Sequence, residues 1–416
     1  MRSFKETRSR PYALNGIVRL VWTYLFRCRE SASISVEKLE SILRSVLPPN
    51  RSFIHATGES LEPFVCLVHF ITFRHGEFGR SFILKLLQES AMTSSGNTVT
   101  QSELLAPDRM MIGIKATLLH LTAIEKDTPP TWPSSSDFSS LRYGDDYQFI
   151  ATFLPDLFYA KPDMQDFHDR YGPVINRIAN ICGATVGSLF VFDEKFTELV
   201  AYTSVEDRDL LTTRTHGEYT VWFRRDLVPQ IDLLRTVFES WPRCLHSSIP
   251  LADMLDFLIR GVIHVEPTMG QVAAAALKRT AQDSRHSKVV MSRFTKFLFS
   301  AEHVEKEGGG THLVVENSTI LVLWESMVRE WSKSLSSNLQ DQELLQPGID
   351  PSELDAKISV QEVIDSIEAG ALFLLTYNQK RIRAVGTRIL KLLGKVILAI
   401  EGGSPSTGTH VRIVIP

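Results

Sequence analysis

Residues 251–263 read Leu-Ala-Asp-Met-Leu-Asp-Phe-Leu-Ile-Arg-Gly-Val-Ile, and their spacing decides the fold class. Leu251, Met254, Leu255, Leu258, Ile259, Val262 and Ile263 recur at alternating steps of three and one, the period of a helix with one apolar face. Just upstream, Ile231, Leu233, Leu234, Val237, Phe238, Trp241 and Leu245 share one side of a second helix. Asp232, Arg235, Glu239 and Arg243 fall on its other side, the last three as i,i+4 neighbours able to pair in water. Two more helices follow, at about 268–281 and about 286–300. The pair therefore repeats after about 37 residues, near the roughly 40-residue unit of HEAT and armadillo arrays.

The same period appears toward the N-terminus, where Leu14, Ile17, Val18, Val21, Trp22, Leu25 and Phe26 line one face behind Pro11, a residue suited to a first helical turn. These patterns predict an all-α fold: a HEAT/armadillo-like α-solenoid of stacked helix pairs, one helical-repeat segment over residues 1–416. Stretches rich in Ser, Pro, Gly and Asp at 89–103, 126–148, 301–311 and 332–357 read as surface loops, and 401–416 as an unplaced tail. Strand signals are weak. Ser188–Asp193 and His410–Pro416 are the candidates, and neither has an Asn-Gly or Asp-Gly turn beside it.

Composition narrows the function. Forty-five basic against 48 acidic residues give a net charge of −3, which excludes a polycation for the nucleic-acid backbone. Four cysteines, Cys28, Cys66, Cys182 and Cys244, are too scattered for a disulfide framework and fit a reducing, intracellular compartment. Every long apolar stretch is interrupted before the roughly 20 residues of a membrane span, and the N-terminus lacks a signal-peptide pattern.

Chemistry-bearing motifs are sparse. Gly308-Gly309-Gly310 lacks the strand and the Lys-Ser/Thr of a phosphate cradle. Cys66, His69 and His75 come nearest to a metal set, but they lack a fourth ligand, and Cys66 and His69 sit on a very apolar helix. No G-x-S-x-G elbow occurs, and Asp145-Asp146 and Glu206–Asp209 read as solvated acidic pairs. The expectation is no enzyme: no catalytic residue, no cofactor and no metal. One surface feature stands out. In a helix from Lys380 to Ile400, Lys380, Arg381, Arg388, Lys391 and Lys395 share one side, opposite Ile382, Val385, Ile389, Leu392, Leu393, Val396 and Ile397. The cationic side is a candidate docking stripe for an acidic partner segment.

Several stretches, in order, resemble one family. They are Tyr12–Cys28 (YALNGIVRLVWTYLFRC), Leu105–Leu119 (LAPDRMMIGIKATLL) with Pro129–Phe138 (PPTWPSSSDF), Ile231–Arg243 (IDLLRTVFESWPR) and Glu368–Arg383 (EAGALFLLTYNQKRIR). Together they resemble the Furry family of cell-morphogenesis proteins, fungal members especially. The resemblance implies an internal slice of a very large helical-repeat scaffold without a catalytic site. It implies protein partners, an NDR-family kinase with its Mob coactivator, acting in polarised growth, in the cytoplasm at the cell cortex. An importin-like or other adaptor solenoid for protein cargo is the competing reading, although six scattered Trp residues lack the repeat spacing of such a groove. Apolar helix faces near 11–28 and 380–400 lead to an expectation of self-association through exposed solenoid ends.

Overall fold

The computed structural model describes residues 9–28, 30–48, 61–88, 105–133, 162–187, 211–216, 219–224, 227–241, 243, 250–264, 266–282, 285–300, 318–340 and 353–402. Nearly all of them are helical. In chain order the elements are α1 (Arg10–Arg27), α2 (Ala32–Val46), α3 (Glu62–Arg74), α4 (Gly76–Gln88), α5 (Pro107–Lys126), α6 (Pro162–Val186), β1 (Leu211–His216), β2 (Tyr219–Arg224) and α7 (Val228–Ser240). There follow α8 (Leu251–Val262), α9 (Pro267–Gln282), α10 (Ser287–Phe299), α11 (Ser318–Gln340), α12 (Glu353–Ala356), α13 (Val360–Leu375) and α14 (Lys380–Gly402). They fall into two compact units, one of Met1–Phe257 with Ile263–Ala276, the other of Leu258–Val262 with Leu277–Pro416.

In the first unit each of α1, α3, α5 and α7 packs on the next in that series, while α4 packs on α6. Among the described helices, α4 also packs on both α3 and α5, and α6 on α7. The composition of the inner helices follows from this position. Ten consecutive residues of α3, Pro63 to Thr72, are buried, and α5 is buried over most of its length. A proline in the first turn starts α1, α3, α5 and α7, where the missing N–H costs no hydrogen bond. Asp127, in the left-handed region at φ 51°, ends α5.

Helix α7 corrects the expected wet face. Asp232 is buried, Thr236 and Ser240 with it, and the helix ends at Ser240. Arg243 therefore leaves the helix and lies buried, its guanidinium bonded to Glu125 Oε2 (2.7 Å) and Thr122 Oγ1 (2.8 Å) of α5. Glu239 pairs with Lys115 (3.6 Å) and Arg235 with Asp232 (3.3 Å). Of the anticipated i,i+4 ladder, Glu239 and Arg243 pair instead with α5, and Arg235 with Asp232 one turn back in α7, because α7 has α5 on one side and α6 on another.

The all-α expectation needs one amendment. Strands β1 and β2 form an antiparallel hairpin from Leu211↔Arg224 to His216↔Tyr219. The two-residue connection is Gly217-Glu218, a Gly-first pair rather than the Asn-Gly or Asp-Gly sought in the sequence. The earlier strand candidates, 188–193 and 410–416, lie outside the described residues.

In the second unit α13 packs on α10 and α14, and α11 on α10 and α14. Ser359 opens α13 with a full capping box, its hydroxyl accepting from the Glu362 N–H and the Glu362 carboxylate accepting from the Ser359 N–H. Asp355, fully buried, caps α10 from a distance by accepting from the Val289 N–H (2.9 Å). The loop expected over 332–357 is helical at both ends, since α11 continues to Gln340 and α12 covers Glu353–Ala356, while 341–352 lie outside the described residues. Trp331 and Ser332 are buried, and the Ser332 hydroxyl donates back to the Val328 carbonyl (2.7 Å), so its polarity is absorbed within the helix. The loops expected at 89–103 and 301–311 lie outside the described residues; that at 126–148 is described through 133 and is non-helical after Lys126.

Gly386 sets the α13–α14 approach, since a Cβ there would stand 2.6 Å from the Ala371 carbonyl oxygen. Gly394, two turns on in the same helix, has nothing within 4 Å of that position. Gly386→Ala is expected to destabilise by about 1–3 kcal/mol through overpacking. Gly394→Ala should be neutral or stabilise by up to about 1 kcal/mol through helix propensity. Paired thermal melts check this; equal shifts for the two variants would contradict the close approach.

Candidate protein-interaction surface

Helix α14 presents the stripe anticipated from the sequence. Ile382, Val385, Ile389, Leu393 and Val396 are buried, while Leu392 and Ile397 are half-buried at the edge of that face. Lys380, Arg381, Arg388, Lys391 and Lys395 are all exposed. Their roles differ. Arg388 forms a bidentate pair with Glu325 of α11, Nε to Oε1 and NH2 to Oε2, both at 2.7 Å. Arg329 adds a third bond to Glu325 Oε1 (3.0 Å). The hydrogen bonds from Arg388 hold the Glu325 carboxyl below the usual carboxylate range, and the same pair raises the Arg388 guanidinium. Arg388 thus ties α14 to α11 as a structural fork.

The remaining cations are differently placed. Lys380, Lys391 and Lys395 make no ion pair with any described residue. Arg381 Nε reaches the Gln379 side-chain oxygen at 3.3 Å. Two residues of the surface escaped the sequence reading. Arg383, off the stripe, donates to the carbonyls of Tyr377 and Asn378 (3.2 Å each) just beyond the C-terminus of α13. Leu398 is 69% exposed at i+3 from Lys395 and i+7 from Lys391, so the stripe carries an apolar residue among its lysines. That spacing is readable from the sequence, where the reading of the stripe counts only its cations.

The Cys66, His69 and His75 set is not brought together as a site. Cys66 and His69 are buried in α3, whereas His75 follows the helix and its Nε2 meets the Ser35 hydroxyl (2.9 Å). His69 instead faces His120 of α5 across 5.8 Å, inside an aromatic cluster with Phe73 and Phe167. Among the described residues no group of three or more His, Cys, Asp or Glu side chains could hold a metal. Burial pushes both imidazoles toward the neutral form. His120 falls to about 4, helped by the nearby Arg80 charge, and His69 falls well below its ordinary value, helped by His120.

Other reactive groups are likewise tied down. His264 donates from Nε2 to the Val186 carbonyl (2.8 Å) and accepts at Nδ1 from the Glu266 N–H (3.0 Å). Burial pushes the Cys182 thiol up to about 12, far from a reactive thiolate. Cys28 is exposed. Cys244, Asp145-Asp146, Glu206–Asp209 and Gly308–Gly310 lie outside the described residues. No described helix is long and apolar enough to cross a membrane.

Residues 1–332 match the family described as cell morphogenesis N-terminal. The chain belongs to that family. The Furry-type resemblance read from the residues is borne out. The chain is similar to the cell morphogenesis protein PAG1 of Saccharomyces cerevisiae, 20% identical over 402 residues, which covers 91% of this chain and 16% of that relative. It thus spans about a sixth of the length of the curated relative it matches. No solved structure matches.

The two depressed histidines generate a pH dependence. Their folded values lie below the unfolded value of 6.5, so their contribution is complete above that pH and lost as pH falls toward 4. From pH 7 to pH 5, His120 alone should remove about 2 kcal/mol of stability. His69 adds loss of the same sign. Denaturant melts across that range should show this slope, and His120→Gln should flatten it; an unchanged slope would contradict the neutral buried pair.

Proposed function

We propose that this chain is a stretch of a non-enzymatic scaffold for polarised growth and cell morphogenesis. Its helix pairs form a HEAT/armadillo-like array, working in the cytoplasm at the cell cortex and binding protein partners, among them an NDR-family kinase with its Mob coactivator. The observation that carries the reading is membership of the cell-morphogenesis family over residues 1–332. The repeat assignment draws support from α1, α3, α5 and α7 packing in series in the first unit. The kinase assignment rests on the Furry-type resemblance of the sequence.

The docking part of the proposal places an acidic partner segment on α14. Lys380, Arg381, Lys391 and Lys395 supply the charge, Leu398 the apolar contact, and Arg388 holds the helix to α11. Such a stripe acts on association rate and salt dependence, because exposed charges are screened within about 10 Å at 0.1 M salt. Tyr12 and Leu20 on α1 and Leu398 on α14, all more than half exposed, are the residues through which self-association would run.

The test is capture of a purified NDR-type kinase–Mob complex by the immobilised chain, with an importin-type cargo as the competing probe. Retention of kinase–Mob is expected; retention of the cargo alone would overturn the reading. Lys391→Glu with Lys395→Glu should weaken capture by about tenfold at low salt while changing stability by less than about 0.5 kcal/mol. Arg388→Glu should instead cost about 1 kcal/mol or more of stability, since it removes a bidentate pair and sets a carboxylate beside Glu325. Capture that ignores both ionic strength and the double reversal would place the partner elsewhere.

A further inference from the structure

Beyond the end of α5 the chain runs as Thr128-Pro129-Pro130-Thr131-Trp132-Pro133, without helix or strand, across the flank of α1. Its contacts have a particular chemistry. The Trp22 indole N–H of α1 donates to the Pro130 carbonyl (3.0 Å), and Arg19 Nε donates to the Pro133 carbonyl (3.4 Å). The Trp132 ring stands edge-on to Trp22, with centroids 5.0 Å apart. Phe26 extends the aromatic surface on one side of Trp22 (5.2 Å), and the Arg27 guanidinium lies 5.6 Å from the indole centroid.

Side-chain donors therefore read main-chain carbonyls of a proline-rich segment laid over an aromatic surface. This is the physics by which proline-rich ligands are recognised between proteins. The segment has few N–H groups to satisfy, its fixed φ values lower the ordering cost, and its carbonyls accept from an indole. Here ligand and groove belong to one chain.

The strap is held unevenly, exposed at Thr131–Trp132 and buried at Pro133. Trp132 is 44% exposed, and a cavity of ≈ 30 Å³ separates Thr128–Thr131 from Leu119, Thr122 and Ala123 of α5. Two carbonyl bonds to α1, the Trp132 ring on Trp22, the buried Pro133 and the Thr128 N–H on the Ala123 carbonyl (3.2 Å) fix it, and of these the two carbonyl bonds are contacts that another proline-rich chain can supply.

We propose that the α1 surface centred on Trp22, with Arg19 and Phe26, is a recognition groove for a proline-rich segment of a partner protein, and that Thr128–Pro133 is an internal ligand covering it until displaced. The groove is separate from the α14 stripe and does not depend on the scaffold reading.

The probe is a labelled peptide of the strap sequence, Asp-Thr-Pro-Pro-Thr-Trp-Pro-Ser, titrated by anisotropy into the full chain. A tether this short holds the strap at an effective concentration of order 1 mM, so the unaltered chain should bind the peptide about tenfold more weakly than a chain whose residues 128–133 are replaced by Gly and Ser. Trp22→Phe in the replaced chain keeps an aromatic ring but removes the donor, and should lower binding tenfold or more. Trp132→Ala in the otherwise unaltered chain loosens the strap by one contact and should raise binding severalfold. A folded Gly/Ser chain that ignores the peptide, or binds it equally well with Phe at 22, overturns the proposal. Should the Gly/Ser chain fail to fold, Trp132→Ala decides: increased binding supports exchange, and unchanged binding makes the strap a fixed part of the fold.

Discussion

A helix enclosed by neighbours must bury whatever polar groups its sequence carries, and the first unit depends on meeting that demand. Helices α3, α5 and α7 form successive rungs and are buried around most of their circumference. Apolar residues meet this at no electrostatic cost; charged ones need partners in place. Arg243 and Glu125, both about 95% buried at the side chain, pair at 2.7 Å, with Thr122 accepting a further guanidinium bond. Breaking such a pair by removing one member typically costs about 3–5 kcal/mol, because the other charge is left stranded. His69 and His120 meet the same demand by staying neutral among aromatic rings. The rungs stack only while these groups are matched.

That constraint also explains what the sequence could and could not disclose. Helix positions were legible because the apolar period is local: 251–263 became Leu251–Val262, and 268–281 became Pro267–Gln282. The basic side of α14 was legible for the same reason. The polar side of α7 was not, since periodicity assumes one solvent face and this helix has neighbours where water was expected. Nothing near Arg243 in sequence announces Glu125, more than a hundred residues away. Arg388 and Lys391 look alike on a helical wheel, yet one is committed to Glu325 and the other projects without an ion pair among the described residues. Charge runs can be found by reading; which members are already engaged cannot.

Family membership and structure bear on different levels of function. The match over residues 1–332 places the chain among cell-morphogenesis proteins, while its similarity to a relative about six times longer makes it comparable to one portion of such a protein. The structure adds two surfaces of different character. One is a cationic helix with an exposed leucine, suited to an acidic segment; the other is an aromatic helix face already covered by a proline-rich strap. Among the described residues, the buried His69, His120, His264, Cys66 and Cys182 are placed for packing.

The central claim is that α3, α5 and α7 form the inner stack of the first unit. Hydrogen exchange on the intact chain, resolved by peptide, tests it most directly, because exchange from such elements requires the largest openings. The account predicts the slowest exchange, with a shared opening free energy, for 62–74, 107–126 and 228–240, and faster exchange in α1 and α2. Early exchange in 107–126, or protection there no greater than in 32–46, would contradict it.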